Sequence, residues 1–278
     1  MNLYVIETGY FKLDGGAMFG VVPKVLWQKS NPPDENNLCS WSMRCLLIED
    51  GDRLILIDNG IGEKQDQNFL RHYHLFGDQN LKKSIHSAGF SPKDITDMFL
   101  THLHFDHCGG GVELDSNQIP RLTFPNARYW SQADHWSWAI EPNAREKASF
   151  LKENILPIKE SGQLEFVEES SSFPQFDILT VDGHTEKQMI PKVKYKDKTI
   201  VFMADLLPSV GHIPLPYVMG YDTRPLLTLK EKAKFLQEAT ENEYILFFEH
   251  DPVHECATLK MTDKGPRLDR TFPLADIL

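Results

Sequence analysis

Cysteine is scarce in this chain: four in 278 residues, at positions 39, 45, 108 and 256, with no CxxC pair among them. That spacing argues against a disulfide framework. Long apolar runs are missing too. No stretch of about 18 apolar residues occurs, so no membrane span is expected. The opening Met1-Asn2-Leu3-Tyr4-Val5-Ile6-Glu7 has neither the basic region nor the apolar core of a secretory leader. Cytoplasmic residence is the expectation. Positive charge is a third deficit, with 29 basic against 40 acidic side chains and a net charge of −11. The lysines of Lys192–Lys198 are interleaved with Val193, Tyr195 and Asp197, so they form no basic patch. Such a chain repels polyanions, and nucleic acid is not expected as a partner. Internal repeats, low-complexity tracts and linkers are absent as well, so residues 1–278 read as one domain.

The chain does have apolar segments of strand and helix length. Met43–Ile48 and Leu54–Asp58 flank an Asp-Gly turn and read as a hairpin. Gln79–Ala88 reads as a helix stopped by Gly89, and Ile95–Thr101 as a buried strand. Helices are expected over Gln132–Ile140 and Ala144–Asn154, then strands over Leu164–Val167, Phe176–Val181, Met189–Tyr195 and Thr199–Ala204. Thr228-Leu229-Lys230-Glu231 fits a capping box that opens a helix to about Glu241. Tyr244–Phe248 is a last apolar strand. Periodicity alone leaves the class at α/β or α+β.

Chemistry concentrates in Thr101-His102-Leu103-His104-Phe105-Asp106-His107-Cys108-Gly109-Gly110, directly after a buried strand. His102 and His104 are two apart, so on an extended backbone they project to one side and can share a cation. Asp106 and His107 follow where the chain turns and can face a second cation about 3.5–4 Å away. Imidazole with carboxylate suits Zn²⁺, with iron, manganese and cobalt as other occupants of such a set. Further ligands should stand at other strand ends, where Asp182-Gly183-His184, Ala204-Asp205 and Glu249-His250 each close an apolar run. Taken singly, an isolated buried histidine is more often a satisfied core residue than a ligand. Three such ends in a chain that already holds a histidine cluster reverse the odds. Asp205 has two carboxylate oxygens with which to bridge two ions.

On these residues the chain resembles the metallo-β-lactamase superfamily over nearly its whole length: HxHxDH is His102–His107, and His184, Asp205 and His250 follow in order. The resemblance implies an α+β fold, an αβ/βα sandwich of two mixed sheets flanked by helices. It implies two divalent ions, most simply Zn²⁺. His102, His104 and His184 would hold one, Asp106, His107 and His250 the other, and Asp205 would bridge them. Asp58 matches a carboxylate that orients a ligand histidine, and Asp106 and Asp205 carry the catalytic roles. The implied reaction is hydrolysis of a lactone or activated ester by a metal-bridging hydroxide, with phosphotriesters as a side activity.

Within the superfamily, Asp205 stands where β-lactamases place cysteine, and only 28 residues follow His250, too few for an appended thioester-binding domain. Asp14–Lys24 and Ala204-Asp205-Leu206-Leu207-Pro208 are similar to the branch of bacterial lactonases and methyl parathion hydrolase. That branch's compact lactonases carry a tyrosine near Pro208, which leaves Tyr217 or Tyr221 as replacements. Met18, Phe19, Phe105, His212 and Tyr221 are the candidate pocket residues, with core packing the competing reading for each. The partner expected is a small-molecule substrate, with homodimer assembly left open. Two alternatives are a mononuclear iron persulfide oxygenase on the same fold and a non-catalytic metal-binding module.

Overall fold

The computed structural model describes residues 1–167 and 173–278. The chain forms two compact units, Met1–Gly9 with Met43–Ser171 and Tyr10–Ser42 with Ser172–Leu278. Two long strands, β1 (Asn2–Asp14) and β2 (Leu38–Asp50), run from one unit into the other and enclose the short helices α1 (Gly15–Phe19) and α2 (Lys24–Trp27).

The first unit continues with β3 (Arg53–Ile57), α3 (Gln67–Leu70), α4 (Leu81–Ser87), β4 (Asp97–Phe99), α5 (Phe105–Cys108), β5 (Val112–Leu114), β6 (Pro120–Leu122), β7 (Arg128–Gln132), α6 (Ala133–Ile140), α7 (Lys152–Glu160) and β8 (Leu164–Val167). Its six-stranded sheet runs β1-β2-β3-β4-β7-β8. The β2–β3 hairpin turns at Gly51, whose φ of 60° suits glycine. β3, β4, β7 and β8 then pair in parallel. The uninterrupted apolar run Leu54–Ile57 is what a strand covered on both faces requires. Leu56, Met98, Leu100, Phe124, Tyr129 and Ile158 belong to the core beneath it. The helix expected from Ala144 begins only at Lys152. Asn143 Oδ1 accepts from the amides of Arg145 and Glu146, a local turn that competes with helix.

The second unit contains β9 (Phe176–Val181), β10 (Gln188–Tyr195), β11 (Lys198–Phe202), α8 (Pro225–Glu241), β12 (Ile245–Phe247), β13 (Cys256–Thr262) and β14 (Gly265–Phe272). Its sheet runs β14-β13-β12-β11-β10-β9, antiparallel except for the parallel pair β11–β12. α8 starts with Pro225 in its first turn, where the missing amide hydrogen costs nothing, and not at Thr228. The Glu231 carboxylate instead accepts from the amides of Asp182 and Gly183, at 2.8 and 3.0 Å. The residue read as half of a capping box therefore caps a different turn. Among the described residues no helix is long and apolar enough to cross a membrane.

Candidate metal centre

In the first unit the apolar strand β4 leads through Leu100 into the ligand loop, and His102, His104, Asp106 and His107 are all buried. Asp58 follows β3 with a left-handed φ of 57°. Its carboxylate accepts from the Thr101 amide at 2.8 Å and the Thr101 hydroxyl at 2.6 Å. His107 Nδ1 lies 3.1 Å from the same carboxylate. Asp58 thus splints the start of the loop and fixes which His107 nitrogen remains for a ligand. His102 Nε2 and His104 Nδ1 face each other at 3.1 Å, close enough for one cation to lie against both. The far side of His104 meets Glu146, with Nε2 3.4 Å from Oε1, while Trp138 and Asn143 donate to the other Glu146 oxygen. Of the remaining histidines in this unit, His135 accepts from the Leu103 amide through Nε2 and is structural.

In the second unit, Asp205 follows Ala204, whose φ of 40° is left-handed. Strain of that kind at a non-glycine residue is concentrated at functional sites. It turns the chain at the end of β11 so that Asp205 Oδ2 lies 3.0 Å from His184 Nε2 and Oδ1 lies 3.1 Å from His250 Nε2. Each imidazole is held from behind. His184 Nδ1 bonds Asp222 at 2.9 Å, and His250 Nδ1 donates to the Ser42 carbonyl at 2.8 Å. The Asp182–His184 turn is itself templated by α8 and the loop before it. Glu231 holds its amides and Arg224 donates to the Asp182 carbonyl at 2.6 Å. A Cβ on Gly183 would lie within 2.5 Å of Thr228 atoms, so only glycine fits.

This arrangement suits a cation. Burial works against an ionised His184, yet the Asp205 and Asp222 carboxylates outweigh it and push its pKa up to about 10. A site that negative, offering imidazole and carboxylate donors, is of the type Zn²⁺ takes.

The candidate pocket residues divide. In the second unit Phe19 is fully buried and stacked on His212 at 4.4 Å and Trp27 at 5.2 Å. Met18 is buried beside it, and its carbonyl accepts from His212 Nε2 at 2.9 Å. Tyr221 is 40% exposed in the loop before α8. In the first unit Phe105 packs on Tyr73 at 4.6 Å and Phe69 at 5.2 Å. Asp222 and Glu146 are supporting residues that the sequence did not single out, and Glu231 stood out there only as half of a capping box. No motif marks these roles, because each acts on a residue in another element.

Burial holds His212 down at about 3. Free imidazole ionises near 6.5, so between those values the unfolded chain binds the extra proton and the native chain does not. The His212 contribution to stability must therefore fall as pH drops from 6.5 toward 3. Urea unfolding of metal-stripped protein at falling pH should show this slope, and His212→Asn should flatten it. An unchanged slope in the variant would contradict a neutral, buried His212.

The sequence pattern of the metallo-beta-lactamase superfamily matches residues 44–250. An N-acyl homoserine lactonase of Bacillus cereus is 23% identical over 269 residues, covering 90% of this chain and 93% of that protein. A solved structure described as a probable metal-dependent hydrolase from Staphylococcus aureus is 28% identical, with a TM-score of 0.88 over 98% of this chain and 96% of that one. A dizinc quorum-quenching lactonase, AidC, solved with a product, is 23% identical, with a TM-score of 0.77 over 98% and 95% of the two chains.

Proposed function

The chain belongs to the metallo-beta-lactamase superfamily and is a metal-dependent hydrolase, and within that class we propose that it opens lactones or activated esters at a pair of divalent ions. The observation that carries the proposal is Asp205, whose two oxygens point separately at His184 Nε2 and His250 Nε2 as a bridging carboxylate requires. On this reading His102, His104 and His184 hold one ion, Asp106, His107 and His250 hold the other, and Asp205 is shared. Zn²⁺ is the preferred occupant because the donors are imidazole and carboxylate. Bound there, such ions supply Lewis acidity and bring the ionisation of water from 15.7 to about 7.

The chain's own groups do the rest. Asp58, Glu146 and Asp222 hold the imidazoles of His107, His104 and His184, so that little reorganisation is needed when substrate arrives. The Asp106 carboxylate takes the proton given up by the attacking water. As the carbonyl carbon gains that oxygen and its bond to the ring oxygen breaks, Asp106 returns the proton to the leaving alkoxide. The product is a hydroxy acid. Lactones are favoured because the relatives include an N-acyl homoserine lactonase and a dizinc quorum-quenching lactonase. Phosphotriesters remain a side activity of the same centre, and Tyr221 is the exposed tyrosine able to meet substrate.

A panel of N-acyl homoserine lactones, simple γ-lactones, aryl esters and phosphotriesters, run on metal-loaded protein, tests the proposal. Lactones should give the highest kcat/KM and phosphotriesters the lowest. Turnover of none of them would refute it.

A further inference from the structure

The first unit carries a cluster of charge that the metal ligands do not use. A pocket of about 550 Å³ lies between the Asn59–Lys64 loop, the start of α4 and β5. Small-molecule sites run from about 300 to 1,000 Å³. Lys64, Lys82 and Lys83 line it, with Glu63 and Glu113 its only carboxylates. Glu113 is already engaged, taking Lys82 on one oxygen and Arg121 on the other. Among the described residues no carboxylate pairs with Lys64 or Lys83. Lys64 Nζ donates to the Gly109 carbonyl, and Lys83 Nζ reaches only the Asp78 carbonyl at 3.4 Å.

A neighbouring pocket of about 730 Å³ shares Lys82, Glu113 and Thr123 and adds His86, Lys93 and Arg121. In a chain of net charge −11 this is a local excess of cations. Burial holds the Lys64 ammonium down at about 8, against the smaller upward pull of Cys108 and of the Glu153 carboxylate, which makes no ion pair with it.

We propose that the pocket between the Asn59–Lys64 loop, α4 and β5 binds a small organic phosphate, its phosphate on Lys64 and Lys83. Among the described residues neither Lys64 nor Lys83 is paired with a carboxylate, which suits a group of charge near −2 at neutral pH, as a phosphate monoester supplies. Lysine binds phosphate as a point charge and needs no planar fit. The pocket is larger than inorganic phosphate alone fills, and Leu81, Val112 and Leu114 give a carbon body something to pack on.

Calorimetric titration of the full-length, metal-loaded protein with glucose 6-phosphate tests this, with glucose as the uncharged control. Saturable binding is expected for the phosphate and none for glucose. Lys83→Glu and Lys64→Gln should each weaken it by about tenfold or more, a loss of ~1.4 kcal/mol. Lys83 is exposed, so its variant should melt like the parent. Three results would overturn the proposal: no saturable binding, affinity unchanged in both variants, or binding that disappears on metal removal and persists in the lysine variants.

Discussion

Asp205→Ala protein should fold, bind metal at least about a hundredfold more weakly and lose nearly all turnover. Loss of a residue that merely orients a ligand costs about 10–100-fold in metal affinity, and a carboxylate shared by both ions should cost no less. Turnover should fall by at least about 10³-fold, the upper range for removal of a single group that stabilises a transition state. The fold does not depend on this side chain. β11 ends at Phe202, and the second unit's sheet is held by its own ladders and by the apolar side chains of Ile200, Val201 and Phe202. Circular dichroism should therefore be unchanged while metal content and activity collapse together. A variant with parental activity and metal content would remove Asp205 from the site.

Phe19→Ala should cost roughly 3–5 kcal/mol of stability, the usual range for a buried phenylalanine cut back to alanine. The ring is fully buried and lies nearly parallel to both His212 and Trp27, with interplanar angles of 7° in each pair. Removing it opens a cavity between two flat partners that cannot close on each other without moving α1 and α2. Urea unfolding of the variant reads the loss directly. A change below about 1 kcal/mol with a large fall in kcat/KM on apolar lactones would instead make Phe19 a substrate-contacting residue.

These two residues also show what a sequence makes legible. Asp205 ends an apolar strand, and a polar residue at such a position stands out, as do the histidines packed into 102–107. Central strands such as Leu54–Ile57 are legible as continuous apolar runs, but their arrangement in two mixed sheets followed from the resemblance carried by the histidine motif, since periodicity alone leaves the class open. Phe19 was ambiguous because a glycine-flanked aromatic residue looks the same whether it faces a ligand or the core, and only its stacking partners decide. Asp222 left no signal and Glu231 only that of a helix cap, since their contacts reach back 38 and 49 positions to His184 and Asp182. The hairpin β13–β14 was equally silent, because its half-exposed strands mix Lys260, Arg267 and Asp269 with apolar residues and blur the two-residue alternation. The division into two units is hidden as well, because β1 and β2 cross it without a break in composition.

We propose above all that this chain hydrolyses its substrate with a pair of divalent ions held by His102, His104, Asp106, His107, His184, Asp205 and His250. Stepwise return of Zn²⁺ to chelator-stripped protein, with lactone hydrolysis and bound metal measured at every step, tests it most directly. Hydrolysis should be absent without metal and should level off at about two ions per chain, as expected for a two-metal site. Full activity with a single ion, above all a single iron, or hydrolysis by the metal-free chain would contradict it.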